Sequence, residues 1–232
     1  MKGLLLKING SWGHFKKPET NNNPLTHDFI TKTALMGLIG AVLGIERREM
    51  ASLFPEFSED LLYGVTLCSP VKKEPWGFTF RKALKQNEKA PKQMELLKTP
   101  SFLVAIAWES ERSDQRLTSF GLAVKNSEAC FPPVLGLHNC PAELQFVTTG
   151  EFEKHQGEFV TKGFITDKHE VDLEKNFRLA IDRIPTYQNN DFWNLPEKYQ
   201  KVVYPFDPFD ENPISAKGEY YQFMDGSQWV LI

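Results

Sequence analysis

Residues 31–44 read TKTALMGLIGAVLG, a run with helical periodicity that nevertheless carries three glycines, Gly37, Gly40 and Gly44. Leu35, Leu38, Ile39, Val42 and Leu43 fill most of the helix surface. A glycine inside a helix costs about 1 kcal/mol relative to alanine, so Gly37 and Gly40 together give up about 2 kcal/mol. Gly44 is cheaper because it can serve as the left-handed C-cap. Spacings of three and four place all three on nearly one face, which makes a smooth strip along the helix. Such a strip fits a tight seat on a sheet, a membrane dimer face, or bare backbone left for a ligand. The membrane use fails on length, because the apolar run from Ala34 to Ile45 is far shorter than the roughly 20 residues a span needs.

Outward from this helix the chain alternates short apolar runs with helical patterns. Lys2 to Asn9 predicts a first strand, followed by a polar, proline-punctuated loop that includes Asn21 to Pro24. Leu61 to Cys68 predicts a second strand. Phe102 to Trp108, FLVAIAW, is too short for a buried helix and predicts a central strand. Ser113 can cap a second helix in which Leu117, Phe120, Gly121 and Val124 recur, and Leu144 to Thr148 offers a fourth strand. This order predicts an α+β fold of the ferredoxin-like, RRM-like βαββαβ kind over residues 1–150. Beyond residue 150 prolines alternate with aromatics, which suits irregular connections, and EYYQFM, Asp225-Gly226 and SQWVLI predict a closing hairpin. Residues 151–232 are therefore expected to form a β-rich C-terminal subdomain, seated on the open face of the first sheet.

The 232 residues carry a net charge of -3, which alone argues against a nucleic-acid binder. The distribution argues otherwise. Between Val71 and Lys98 eight basic residues stand against three acidic ones, a net +5 that leaves -8 on the rest of the chain. A segregated charge of this kind makes a local field that a polyanion would find. The basic stretch falls between the second and third strands as a long excursion, about residues 70–99, and Trp76, Phe78 and Phe80 alternate within it. Read alone, a lysine run is also what a solvated loop or helix looks like. Three cysteines without CxxC spacing read as reduced and structural, and no metal or phosphate-cradling motif is present, so no metal site and no cofactor are expected. Neither a secretory signal nor a membrane span is evident, which makes the cytoplasm the expected location.

The first strand, HFKKP (His14 to Pro18), and PLTHDFITKTALMGLIGAVLG resemble the fifth CRISPR-associated (Cas) family in its type I-B branch, a subunit of the Cascade surveillance complex. Thr26, Phe29, Thr33, Gly37, Gly40 and Gly44 fill the places of the family's threonine, aromatic and glycine-bearing helix. FPPVLGLHNCPAE, residues 131–143, resembles its turn before the fourth strand. The resemblance implies membership of the repeat-associated RNA-binding (RAMP) superfamily, with the basic excursion as a protruding thumb. It further implies a subunit that holds the 5′ repeat-derived tag of the guide RNA, caps the backbone filament and contacts the large subunit. Contact with target DNA near the protospacer-adjacent motif is left open.

The residue types suit that task. Clustered Lys and Arg neutralise phosphates, unpaired bases stack on aromatic rings, and a helix start offers backbone N–H groups. The candidate RNA-binding residues are His14, Phe15, Lys16 and Lys17 in the first loop, and Thr31, Lys32, Thr33 and Gly37 at the helix. Lys72, Lys73, Trp76, Phe78, Arg81 and Lys82 complete the set in the excursion. No catalytic residue is expected. The alternative is a metal-independent endoribonuclease acting on repeat RNA, using Lys154-His155 or Lys168-His169 as base and charge stabiliser.

Overall fold

The computed structural model describes residues 1–82, 85–172, 178–187, 198–205, 207 and 213–232, the side chains at positions 80, 82, 85–88 and 187 excepted. The chain opens with β1 (Lys2–Asn9) and the short β2 (Trp12–Gly13), then α1 (Lys32–Leu43) and α2 (Arg47–Asp60). Next come β3 (Leu62–Leu67), β4 (Lys73–Lys82), β5 (Lys85–Lys98), β6 (Ser101–Trp108) and α3 (Glu111–Lys125). The remaining strands are β7 (Glu143–Thr161), β8 (Ile165–Thr166), β9 (Glu170–Val171), β10 (Leu179–Tyr187), β11 (Lys198–Pro205), β12 (Ile214–Phe223) and β13 (Gln228–Trp229). The molecule is thus a sheet-rich mixed α/β protein.

The main sheet has the order β13-β12-β7-β1-β6-β3, with every paired strand antiparallel to its neighbour. Strand alternation sorts its side chains onto two faces. Leu4, Leu6 and Ile8 join Val104 and Ile106 under Leu35, Ile39, Leu117 and Phe120 of the helices. On the opposite face Leu5, Ala105 and Ala107 meet Phe152, Tyr221, Phe223, Trp229 and Leu231. Residues 4–6 of β1 and 102–108 of β6 are continuously apolar because both faces are covered there. The small residues on this second face are needed: a Cβ at Gly64 would lie 2.8 Å from the Val230 carbonyl. Beyond β13 the chain returns to the β3 edge, where Tyr63 and Ile232 exchange backbone hydrogen bonds at 3.1 and 3.0 Å.

Several expectations change. The boundary expected at residue 150 falls inside β7, whose first half pairs with β1 and whose second half pairs with β12. Residues 47–60 form a helix despite Pro55, with Met50, Phe54 and Phe57 buried on one side. α3 begins earlier than expected, with Ser110 in the N-cap position, while Ser113 is buried and donates its hydroxyl to Asp60. The stretch expected to be irregular contains β10 and β11, paired with a register shift beside Pro185 that accommodates the missing N–H. Its residues 188–197, including Phe192 and Trp193, lie outside the described residues.

The three glycines of α1 have three different surroundings. Gly44 is the left-handed C-cap at φ 74°. A Cβ on Gly40 would sit 2.4 Å from Met50 Cε, so α2 packs against that point, while a Cβ on Gly37 would meet nothing within 4 Å. The glycine strip therefore faces α2 and solvent, and the leucine side of α1 meets the sheet.

Candidate nucleic-acid interface

The basic excursion is a two-stranded hairpin, β4 paired with β5, and β5 also pairs with β2 through Trp12↔Lys98 and Gly13↔Leu97. Its base is fastened to the first loop by side chains. Lys73 Nζ lies 2.6 Å from Asp28 and 3.3 Å from Glu95 and donates to the Thr26 carbonyl at 3.0 Å. Burial works to lower the Lys73 pKa, but these two carboxylates raise it overall. The Thr26 N–H donates to Glu95 Oε1, and Glu95 N–H donates to the Pro24 carbonyl. Lys92 Nζ donates to Asn22 Oδ1. Tyr204 donates to Asp28 at 2.6 Å, so β11 is tied to the same knot.

Beyond this base the hairpin turns its charges outward. Arg81 and Lys89 are exposed, and Arg81 stands directly opposite Lys89 in the ladder, while the exposed Lys72 lies at the base, its carbonyl accepting from the Lys98 N–H. Like charges directly across a ladder destabilise it until an anion intervenes. On the other ladder face Trp76 is 40 % exposed and meets Trp12 edge-on, with ring centroids 4.8 Å apart. Phe78 follows Trp76 along the same face, opposite Lys92, and is half-buried. The backbone of Lys82 lies in β4, while its side chain falls outside the described residues.

The first-loop candidates divide. Lys16 is exposed and donates to Asn21 Oδ1 at 2.7 Å. His14 and Phe15 are 4 % and 3 % exposed, which corrects their expected role as contacts presented to RNA. His14 Nδ1 lies 2.7 Å from the Glu95 carbonyl, and burial lowers its pKa despite that bond. Phe15 packs on Phe102 beneath a short ladder in which its N–H donates to Thr26 Oγ1. Lys17 pairs with Asp182 at 2.9 Å, and the buried His27 lies 2.9 Å from the other oxygen of that carboxylate. Burial pushes the Asp182 pKa up, but His27 and Lys17 outweigh it and hold it at about 2.

The helix candidates lie in other surroundings. Thr31 caps α1, accepting from the Ala34 N–H, and its hydroxyl lies 3.0 Å from that of Thr33. Lys32 is buried and lines a cavity to which neither β4 nor β5 contributes. Gly37 is exposed at the rim of a different, apolar groove with Met50 and Phe131. Of the expected residues, then, Lys16, Lys72, Trp76, Phe78 and Arg81 lie on the hairpin or in the loop pinned to it, with Lys73 as an anchor. Trp12, Lys89 and Lys92 join them, the last two having been counted only as part of a charge total.

Neither His-Lys pair assembles an evident acid–base site. His169 Nε2 lies 2.8 Å from the Glu219 carbonyl and its Nδ1 lies 2.9 Å from Thr166 Oγ1, so both ring nitrogens are engaged. His155 stacks on Tyr220, and Lys154 pairs with Glu219. Among the described residues no group of three or more His, Cys, Asp or Glu side chains could hold a metal ion. The cysteines are free, and no described helix is long and apolar enough to cross a membrane.

Against known proteins, the model of the CRISPR-associated protein (Cas_Cas5) family matches residues 3–194. A CRISPR protein from Archaeoglobus fulgidus is similar in structure over 99 % of this chain and 98 % of its own, at 12 % identity and a TM-score of 0.63. A chain of a CRISPR RNA-guided surveillance complex is similar over 88 % of this chain and 90 % of its own, at 12 % identity and a TM-score of 0.55. No curated protein sequence is significantly similar.

Proposed function

The chain belongs to the CRISPR-associated protein Cas5 family, and from that premise we propose that it is a non-catalytic, RNA-binding subunit of a CRISPR effector complex. The observation that carries the reading is the β4–β5 hairpin, which holds Arg81 and Lys89 exposed beyond a base locked by Lys73, Asp28 and Glu95, with Lys72 exposed at that base. Electrostatic neutralisation of phosphates supplies the affinity, and the exposed Trp76 offers a face to an unpaired base. The like-charged Arg81 and Lys89 are relieved when a phosphate lies between them.

The finer assignments follow the same reading. The ligand is the 5′ repeat-derived tag of a guide RNA in a type I complex, of subtype I-B. The subunit caps the backbone filament and touches the large subunit, and it works in the cytoplasm. The β7-β1-β6-β3 order, with α1 and α3 on one face, supports a ferredoxin-like βαββαβ unit of the RAMP kind carrying the hairpin as its thumb. The engagement of both His169 ring nitrogens supports the non-catalytic role.

The test reverses the charge of Lys72, Arg81 and Lys89 together and leaves Lys73 intact, because Lys73 holds the hairpin in place. Guide RNA retained by the purified complex at moderate salt is expected to fall at least roughly tenfold, with a shallower salt dependence. Unchanged retention contradicts the thumb assignment. Incubating the chain with repeat RNA in chelator tests the absence of catalysis, and cleavage lost in His155→Ala or His169→Ala would restore the nuclease reading.

A further inference from the structure

Away from the thumb, a cavity of about 550 Å³ opens between the start of α1, the end of α2, and β10, β11 and β12. This volume lies within the roughly 300–1,000 Å³ range of small-molecule sites. Its charge is unbalanced. Glu59 and Glu219 line it, but Glu59 is paired with Arg112 at 3.2 Å and Glu219 with Lys154 at 2.7 Å. Lys32 also lines it, 4 % exposed, its ammonium with no hydrogen-bond or ion-pair partner among the described residues. An ammonium taken out of water without a counter-charge is costly, and natural structures pair such groups. Lys168 stands at the same cavity, exposed, its side chain likewise without a partner among the described residues.

We propose that this cavity is a second anion site, in which Lys32 and Lys168 receive the phosphate of a ribonucleotide. A nucleotide suits it better than a bare ion because the walls beyond the lysines are mixed. Gln156 offers amide donors and acceptors, and Tyr221, Val230 and Leu231 form an apolar side against which a base or sugar can lie. Lys32 is the first residue of α1, which Thr31 caps, so the positive end of that helix dipole lies beside the cavity. The site shares no residue with the hairpin, so the inference does not rest on the thumb reading.

Calorimetry on the full chain at constant ionic strength tests it with AMP, inorganic phosphate, and one short RNA bearing either a 5′-phosphate or a 5′-hydroxyl. Saturable AMP binding is expected, with phosphate weaker. Lys32→Met is expected to weaken AMP by roughly tenfold or more, the scale of one charge-assisted hydrogen bond. Lys168→Met is expected to weaken it severalfold, and Lys125→Met, at an exposed position away from the cavity, to leave it unchanged. Preference for the 5′-phosphorylated RNA that vanishes in Lys32→Met identifies an RNA end as the source. Equal binding of both RNAs beside tight AMP identifies a free nucleotide. Absence of saturable binding of AMP and phosphate at millimolar concentration overturns the proposal, as does undiminished binding in folded Lys32→Met and Lys168→Met.

Discussion

Lys32 and Lys73 begin with the same ammonium, and their surroundings send it in opposite directions. Two carboxylates more than offset burial at Lys73, whereas at Lys32 burial acts alone and lowers the pKa from 10.5 to about 8. Between about pH 8 and 10.5 the unfolded chain holds more protons at this position than the folded one, so stability rises with pH across that window. At pH 7 the buried charge costs about 3 kcal/mol. Lys32→Met is therefore expected to stabilise the chain by up to about 3 kcal/mol in urea unfolding at pH 7. The gain should vanish above the upper end of the window, and a loss of stability at pH 7 would mean that the ammonium has a counter-charge. The sequence could not separate the two lysines, since each lies beside residues of ordinary polarity and its partners are distant in the chain. His14 and Phe15 were misjudged for a related reason. Adjacency to Lys16 and Lys17 suggested a shared surface, but pairing with Thr26 and the Leu135 carbonyl covers both.

Elements with long apolar runs or strong caps were legible: β1, β6 and α1 appear within a residue or so of where periodicity puts them. α2 was not, because Pro55 interrupts an otherwise regular spacing of Met50, Phe54 and Phe57. The extent of β7 was hidden too, since the change of composition beyond residue 150 reads as a boundary while the second half of the strand is held by pairing with β12 from the far end of the chain. Within α1 the surroundings of the glycines predict unequal substitutions. Gly37→Ala, at an open position, should stabilise by about 1 kcal/mol through helix propensity. Gly44→Ala should destabilise by about 1–2 kcal/mol, because its φ of 74° is left-handed and Cys130 Sγ would lie 2.7 Å from the new Cβ. Thermal unfolding midpoints moving in opposite directions would bear this out. A fall for both would show that the Gly37 face is packed.

In the whole molecule, charge and anchoring are divided between parts that meet only on folding. The loop of Asn22 to Asp28, β11 through Tyr204, and the hairpin base form one knot, and from it the outer hairpin projects its basic residues. Composition located the charge, but not the brace that gives it direction, because Asp28, Glu95 and Tyr204 lie far apart in sequence. The proposed grip on RNA depends on that brace. Photocrosslinking of the guide RNA in the assembled complex, with the attached peptides mapped by mass spectrometry, tests it most directly. Crosslinks on the hairpin between Lys72 and Lys92, with Trp76 among the modified residues, are the predicted result. An intact, RNA-loaded complex whose crosslinks on this chain all lie outside the hairpin would contradict it.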